Sequence, residues 1–114
     1  MGIAIGTTPT ISITIASLDL ATCIAESFKV YFKQPTSDKV LVKSSEDIEF
    51  DTENHTVKTF LTQEDTLGMK KGKLQIEVRW LWEDYLPDGQ HVAGKTAPLE
   101  TTVEDPVLKN EVIT

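Results

Sequence analysis

The sequence predicts an all-β protein: two packed antiparallel sheets of about seven short strands, with one short helical turn. Three observations carry this. Residues 73–83 alternate, with Leu74, Ile76, Val78, Trp80 and Trp82 on one side and Gln75, Glu77 and Arg79 between them, the period of a strand buried on one face. Turn-forming residues recur at short intervals, at Gln34-Pro-Thr-Ser-Asp38, over residues 52–55 and at Leu86-Pro-Asp-Gly89. A helix-start signal stands in Leu61-Thr-Gln-Glu-Asp-Thr-Leu67, where Thr62 and Asp65 are spaced as in a capping box.

The elements follow in order. Residues 1–8, with Gly2, Gly6 and two threonines, read as a flexible lead-in. Pro9 precedes a β-branched strand in which Ile11, Ile13 and Ile15 alternate with Ser12 and Thr14. Residues 16–27 fit either a helical turn or a meandering loop. Phe28, Val30 and Phe32 then point inward, and Lys29, Tyr31 and Lys33 outward. Residues 40–43 and 48–51 are two short strands, and 56–61 another. Residues 70–72 end the helical turn and feed the long strand, whose two indoles bring the largest apolar area to the core.

Leu86-Pro-Asp-Gly89 has Pro where a type I turn wants a fixed φ and Gly where the chain turns left-handed, so it closes a hairpin onto residues 90–94. Val92 and Leu99 are out of phase, which a bulge or bend around Gly94 and Pro98 explains. Residues 99–103 form the closing strand, Asp105-Pro106 stops it, and 107–114 is a tail. The whole, residues 1–114, is one domain. An immunoglobulin-like antiparallel β-sandwich accommodates this order, and a small β-barrel is the alternative.

Eighteen acidic residues against 11 basic leave a net charge of −7. That balance opposes nucleic acid and anionic membranes as partners, since both need a basic face. Cys23 is the single cysteine, so no internal disulfide forms. Residues 1–6 lack the basic start and long apolar run of a signal peptide, and residues 11–25 are too polar to span a bilayer. The expectation is synthesis in the cytoplasm.

Candidate chemistry is sparse. Asp47, Glu49, Asp51 and Glu53 alternate along one strand and its turn, offering oxygen ligands to a cation such as Ca²⁺. Carboxylates strung along an extended chain diverge, however, and a charged edge that discourages strand pairing needs no ion. His55 and His91 have no second ligand at metal spacing. Cys23 and the serines have no base beside them in sequence. The expectation is therefore a non-enzyme with no cofactor and no metal. Trp82, near the end of the long strand beside Tyr85 and Leu86, is the candidate interface, because aromatic residues are enriched at protein contacts.

One resemblance adds to this. The run Thr56-Val-Lys-Thr-Phe-Leu-Thr-Gln-Glu-Asp-Thr-Leu67, then Gly72-Lys-Leu-Gln-Ile-Glu-Val-Arg-Trp80, then Asp88-Gly-Gln90 and a closing strand, resembles small phage and prophage structural proteins of Firmicutes. The layout is similar to the immunoglobulin-like N-terminal domain of phage baseplate upper proteins. The opening strand and Phe28-Lys-Val-Tyr-Phe-Lys-Gln34 fit the same pattern, so the resemblance spans most of the chain. It implies a virion component of the tail, baseplate or neck, assembled in the host cytoplasm and carried in the virion. Its partners would be other virion or prophage proteins, or copies of itself. The alternative is an immunoglobulin-like module that binds carbohydrate or peptide through Trp82, Tyr85 and Leu86.

Overall fold

In the computed structural model, residues 2–104 are described. Their strands are β1 (Ile3–Ala4), β2 (Thr10–Thr14), β3 (Lys29–Lys33), β4 (Val40–Ser44), β5 (Ile48–Asp51), β6 (Thr56–Phe60), β7 (Gly72–Tyr85), β8 (His91–Lys95) and β9 (Leu99–Glu104), with one helix, α1 (Gln63–Leu67). The predicted tail, 107–114, and the Asp105-Pro106 stop lie outside the described residues.

One sheet runs β1-β9-β7-β3-β4, with β8 also on β7, and the other runs β2-β6-β5. Matched in chain order to the immunoglobulin strands, these are A′-G-F-C-C′ and B-E-D, the order of variable-type domains. The two sheets share no hydrogen-bonded strand pair among the described residues, so they form a sandwich rather than a closed barrel. The all-β, immunoglobulin-like prediction holds. Pairing is antiparallel except between β1 and β9, which run parallel. The strand with no counterpart in the sequence reading is β1, only two residues long.

β7 is the hub. Along one edge it pairs with β3 over Gln75 to Arg79, and beyond that Ile24 and Cys23 reach Leu81 and Trp82. Along the other it pairs first with β9 and then with β8. Thr96 bridges the gap between those two partners, exchanging hydrogen bonds with Val78 through its amide and hydroxyl. That is the break in alternation expected near Pro98.

Inward residues of β3 and β7 meet the second sheet as predicted. Phe28, Val30, Phe32, Leu74, Val78 and Trp80 are buried against Ile13, Ile48, Val57 and Leu61. Phe28 joins the layers: its ring meets Phe50 edge-on at 5.0 Å and stacks on Trp80 at 5.9 Å. The segment 16–27 resolves as two 3₁₀ turns, Leu20–Thr22 and Ala25–Ser27. Asp19 caps the first by accepting from the Ala21 amide. The helix carries the full capping box between Thr62 and Asp65.

Within the lead-in expected over residues 1–8, residues 3–7 are instead tied down. Ile3 is 4% exposed, and β1 lies in register with Val103 and Glu104. The Thr66 hydroxyl, on the helix, donates to the Thr7 carbonyl and accepts from the Gly6 amide. Its partners lie about 60 positions away, beyond the reach of a local composition argument.

Candidate functional site

The alternation that buries one face of β3 and β7 displays the other. Lys29, Tyr31 and Lys33 of β3 project outward beside Gln75, Glu77 and Arg79 of β7. Register then arranges them into rows across the sheet. Lys29 lies opposite Arg79, and Arg79 lies opposite Lys95 on β8. Adjacent strands are about 4.8 Å apart, so three cations span about 10 Å on one face. Like charges placed directly opposite one another destabilise a sheet.

Arg79 is partly satisfied. Its Nε donates to Glu77 Oε1 at 2.7 Å, and its guanidinium sits 4.9 Å over the Tyr31 ring. The hydrogen bond from Arg79 to Glu77 raises the guanidinium pKa further above its usual range. Lys29 and Lys95 are exposed and form no ion pair among the described residues. Together with Ser27, Leu81 and Ala93 these side chains line an open groove of about 710 Å³.

The next row is apolar. Tyr31 lies opposite Val42, and Lys33 opposite Val40. Val40 and Val42 are 47% and 40% exposed, on a strand whose far edge pairs with no other strand among the described residues. They border a second hollow with Tyr31 and Pro98. The outer face of the six-stranded sheet thus combines an unpaired edge, an apolar strip and a basic row.

The predicted interface residues separate. Trp82 packs edge-on against Trp80 at 5.5 Å and leans on the core. Tyr85 stacks on His91 at 4.2 Å, 66% exposed, and Leu86 at the hairpin turn is 44% exposed. A register shift between Leu81 and Tyr85 separates the two ring pairs. Tyr85 and Leu86 thus form an exposed tip, and Trp82 belongs to the rim of the core.

Asp47, Glu49, Asp51 and Glu53 lie along a 3₁₀ turn, β5 and the following bend. Ile48 and Phe50 point inward, leaving Glu49 to face out. Asp51 accepts from the Asn54 side chain and backbone, and those bonds lower its carboxyl pKa. No group of three or more metal-ligating side chains converges among the described residues.

His55 is a turn residue with φ +51°. Its Nδ1 lies 2.6 Å from the Leu18 carbonyl, which can only accept, so Nδ1 carries the proton. Burial pushes the Cys23 thiol pKa up, and Asp19 and Glu83 add to the rise against a hydrogen bond with Thr22; the thiolate a nucleophile needs is disfavoured.

Lys29, Arg79 and Lys95 escaped the sequence reading as a group. Lys29 and Arg79 stand at outward positions of strands the alternation identifies, but a pattern along a strand says nothing about which residue lies across from which. Comparison of the chain with family models, with characterised proteins and with solved structures finds no match. No helix among the described residues is long and apolar enough to cross a membrane.

Proposed function

We propose that the chain is a non-enzymatic structural component of a phage or prophage particle, acting through protein–protein contacts made by the outer face of its six-stranded sheet. The observation that carries this is β4: an edge unpaired among the described residues, with Val40 and Val42 exposed beside Tyr31. Unpaired edges are normally blunted by charge, bulges or cover, because they invite pairing with another chain. Exposed apolar side chains on such an edge suit a strand that a neighbour covers in an assembly. The resemblance of residues 56–90 to small phage structural proteins supplies the setting, the host cytoplasm during assembly and the particle afterwards.

The binding-module alternative relies on Trp82, Tyr85 and Leu86 as one aromatic platform. Trp82 is engaged with Trp80 and Tyr85 with His91, so the assembly reading has the better geometric support. Peptide mass spectrometry of gradient-purified particles, from cells in which the prophage bearing this gene is induced, tests it. The chain is expected there in a fixed ratio to the major structural proteins. Its absence from the particles, with tryptophan fluorescence that responds to a glycan, would retire the assembly reading in favour of the module.

A further inference from the structure

We infer that the basic row Lys29–Arg79–Lys95 receives the acidic run of a second copy of this chain, Asp47 and Glu49 leading, in a head-to-tail contact. The inference rests on the assembly reading and names one partner for it.

Two surfaces of the same molecule are complementary. The row places three cations across β3, β7 and β8 at a strand spacing of about 4.8 Å, hence over about 10 Å. Residues 46–53 hold five carboxylates, Glu46, Asp47, Glu49, Asp51 and Glu53, and no cation. Glu49 and Asp51, at alternate positions of β5, are about 6.7 Å apart, with Asp47 at the turn just before the strand, a run the flexible lysines can follow. None of the five forms an ion pair among the described residues.

The carboxylates have few local partners. Lys58, opposite Glu49 on β6, is the nearest cation across the strands. Among the described residues the basic row has one ion pair, Arg79 with Glu77. In a chain of net charge −7, three cations placed in register cost stability in the isolated molecule. A carboxylate-bearing surface laid over them removes that cost, and Leu81, Tyr31 and Ala93 along the groove supply apolar contact beside it.

The two surfaces sit on different sheets, the row on the six-stranded and the run on the three-stranded one. A contact that uses a different patch on each copy is heterologous, and such contacts build rings or filaments. One bound copy leaves a free row at one end and a free acidic run at the other. Every added subunit repeats the same interface.

Two variants separate this from other modes. Lys29→Gln with Lys95→Gln removes the outer cations of the row; Asp47→Asn with Glu49→Gln removes the leading carboxylates. All four side chains are exposed, and thermal melts of both variants serve as the check that they remain folded. Light scattering after size exclusion, from about 10 µM to about 1 mM protein, reads association. The wild type is expected to form oligomers that weaken as salt rises from about 50 to about 500 mM. Each variant alone is expected to associate at least tenfold more weakly. An equimolar mixture is expected to stop at a 1:1 dimer, since only one intact contact can form.

Wild-type oligomers that the variants leave unchanged would overturn this contact while the assembly reading stands. A wild type that is monomeric at every concentration would overturn it too. So would a monomer whose Lys29 and Lys95 instead retain a sulfated polysaccharide.

Discussion

Gly94 sets how closely the two indoles approach the sheet. A Cβ built there would lie 2.6 Å from Cη2 and 2.7 Å from Cζ3 of Trp82, and 2.8 Å from Cε2 of Trp80. Real side chains do not pack that tightly, so Gly94→Ala must displace both rings or bend β8. The expected loss is about 1–3 kcal/mol, read as a lower denaturation midpoint; an unchanged midpoint would mean that the indoles are not seated on β8. Asp65 gives the acid limb its shape. Burial raises its carboxyl pKa, but the hydrogen bond from Lys43 at 2.7 Å and those from Thr62 lower it more, leaving it below the usual 3.8. A carboxyl depressed in the folded state stabilises fully above its unfolded pKa, and that contribution is lost as pH falls through the folded value. Unfolding measured between about pH 4 and about pH 2 should steepen for the wild type and flatten for Asp65→Asn. Identical slopes would show that this carboxyl is not depressed.

At the scale of elements, buried polar side chains hold segments that propensity leaves loose. Gln34 is buried; its Nε2 donates to the Lys70 carbonyl at 2.5 Å and its Oε1 accepts from the Lys70 amide at 2.9 Å. It thereby clamps the entry to β7. Gln34→Ala leaves both backbone groups unpaired, at a cost of about 1–3 kcal/mol, measurable by urea unfolding; a midpoint within error of the wild type would contradict the clamp. Thr66 does the same for β1. Thr66→Val keeps the volume but removes the bonds to Gly6 and Thr7, so the amides of residues 3–7 should exchange faster while those of β7 stay unchanged. The contrast explains what could be read in advance. β3, β7 and the hairpin turn were legible because one-sided burial imprints a period of two and Gly89, at φ +88°, meets a demand of the turn. β1 was not, because two residues carry no period and its anchors come from α1 and β9. The crossing of the chain between sheets after β4 was equally silent, since β4 and β5 carry the same kind of pattern.

For the whole molecule, what matters is the distribution of charge and apolar surface over two sheets. The three-stranded sheet carries the acidic run and the six-stranded sheet the basic row, beside Val40, Val42 and an open edge. The sequence showed a net acidic chain, the acidic run and an aromatic pair. It could not show the row, because Lys29, Arg79 and Lys95 are brought together by register and lie 50 and 16 positions apart. If the row is a cost carried for assembly, Lys95→Gln should stabilise the isolated chain by about 0.2–1 kcal/mol, seen in chemical unfolding at low salt, while it weakens association. Loss of stability would mean that Lys95 has a favourable partner within its own chain. The most direct test of a working outer face is amide exchange at dilute and at concentrated protein. Contact through that face predicts slower exchange on concentration along the open edge of β4, in β8 and in β5, with α1 and β2 unchanged. Slowing confined to the Tyr85–Leu86 tip, or no slowing anywhere, would contradict it.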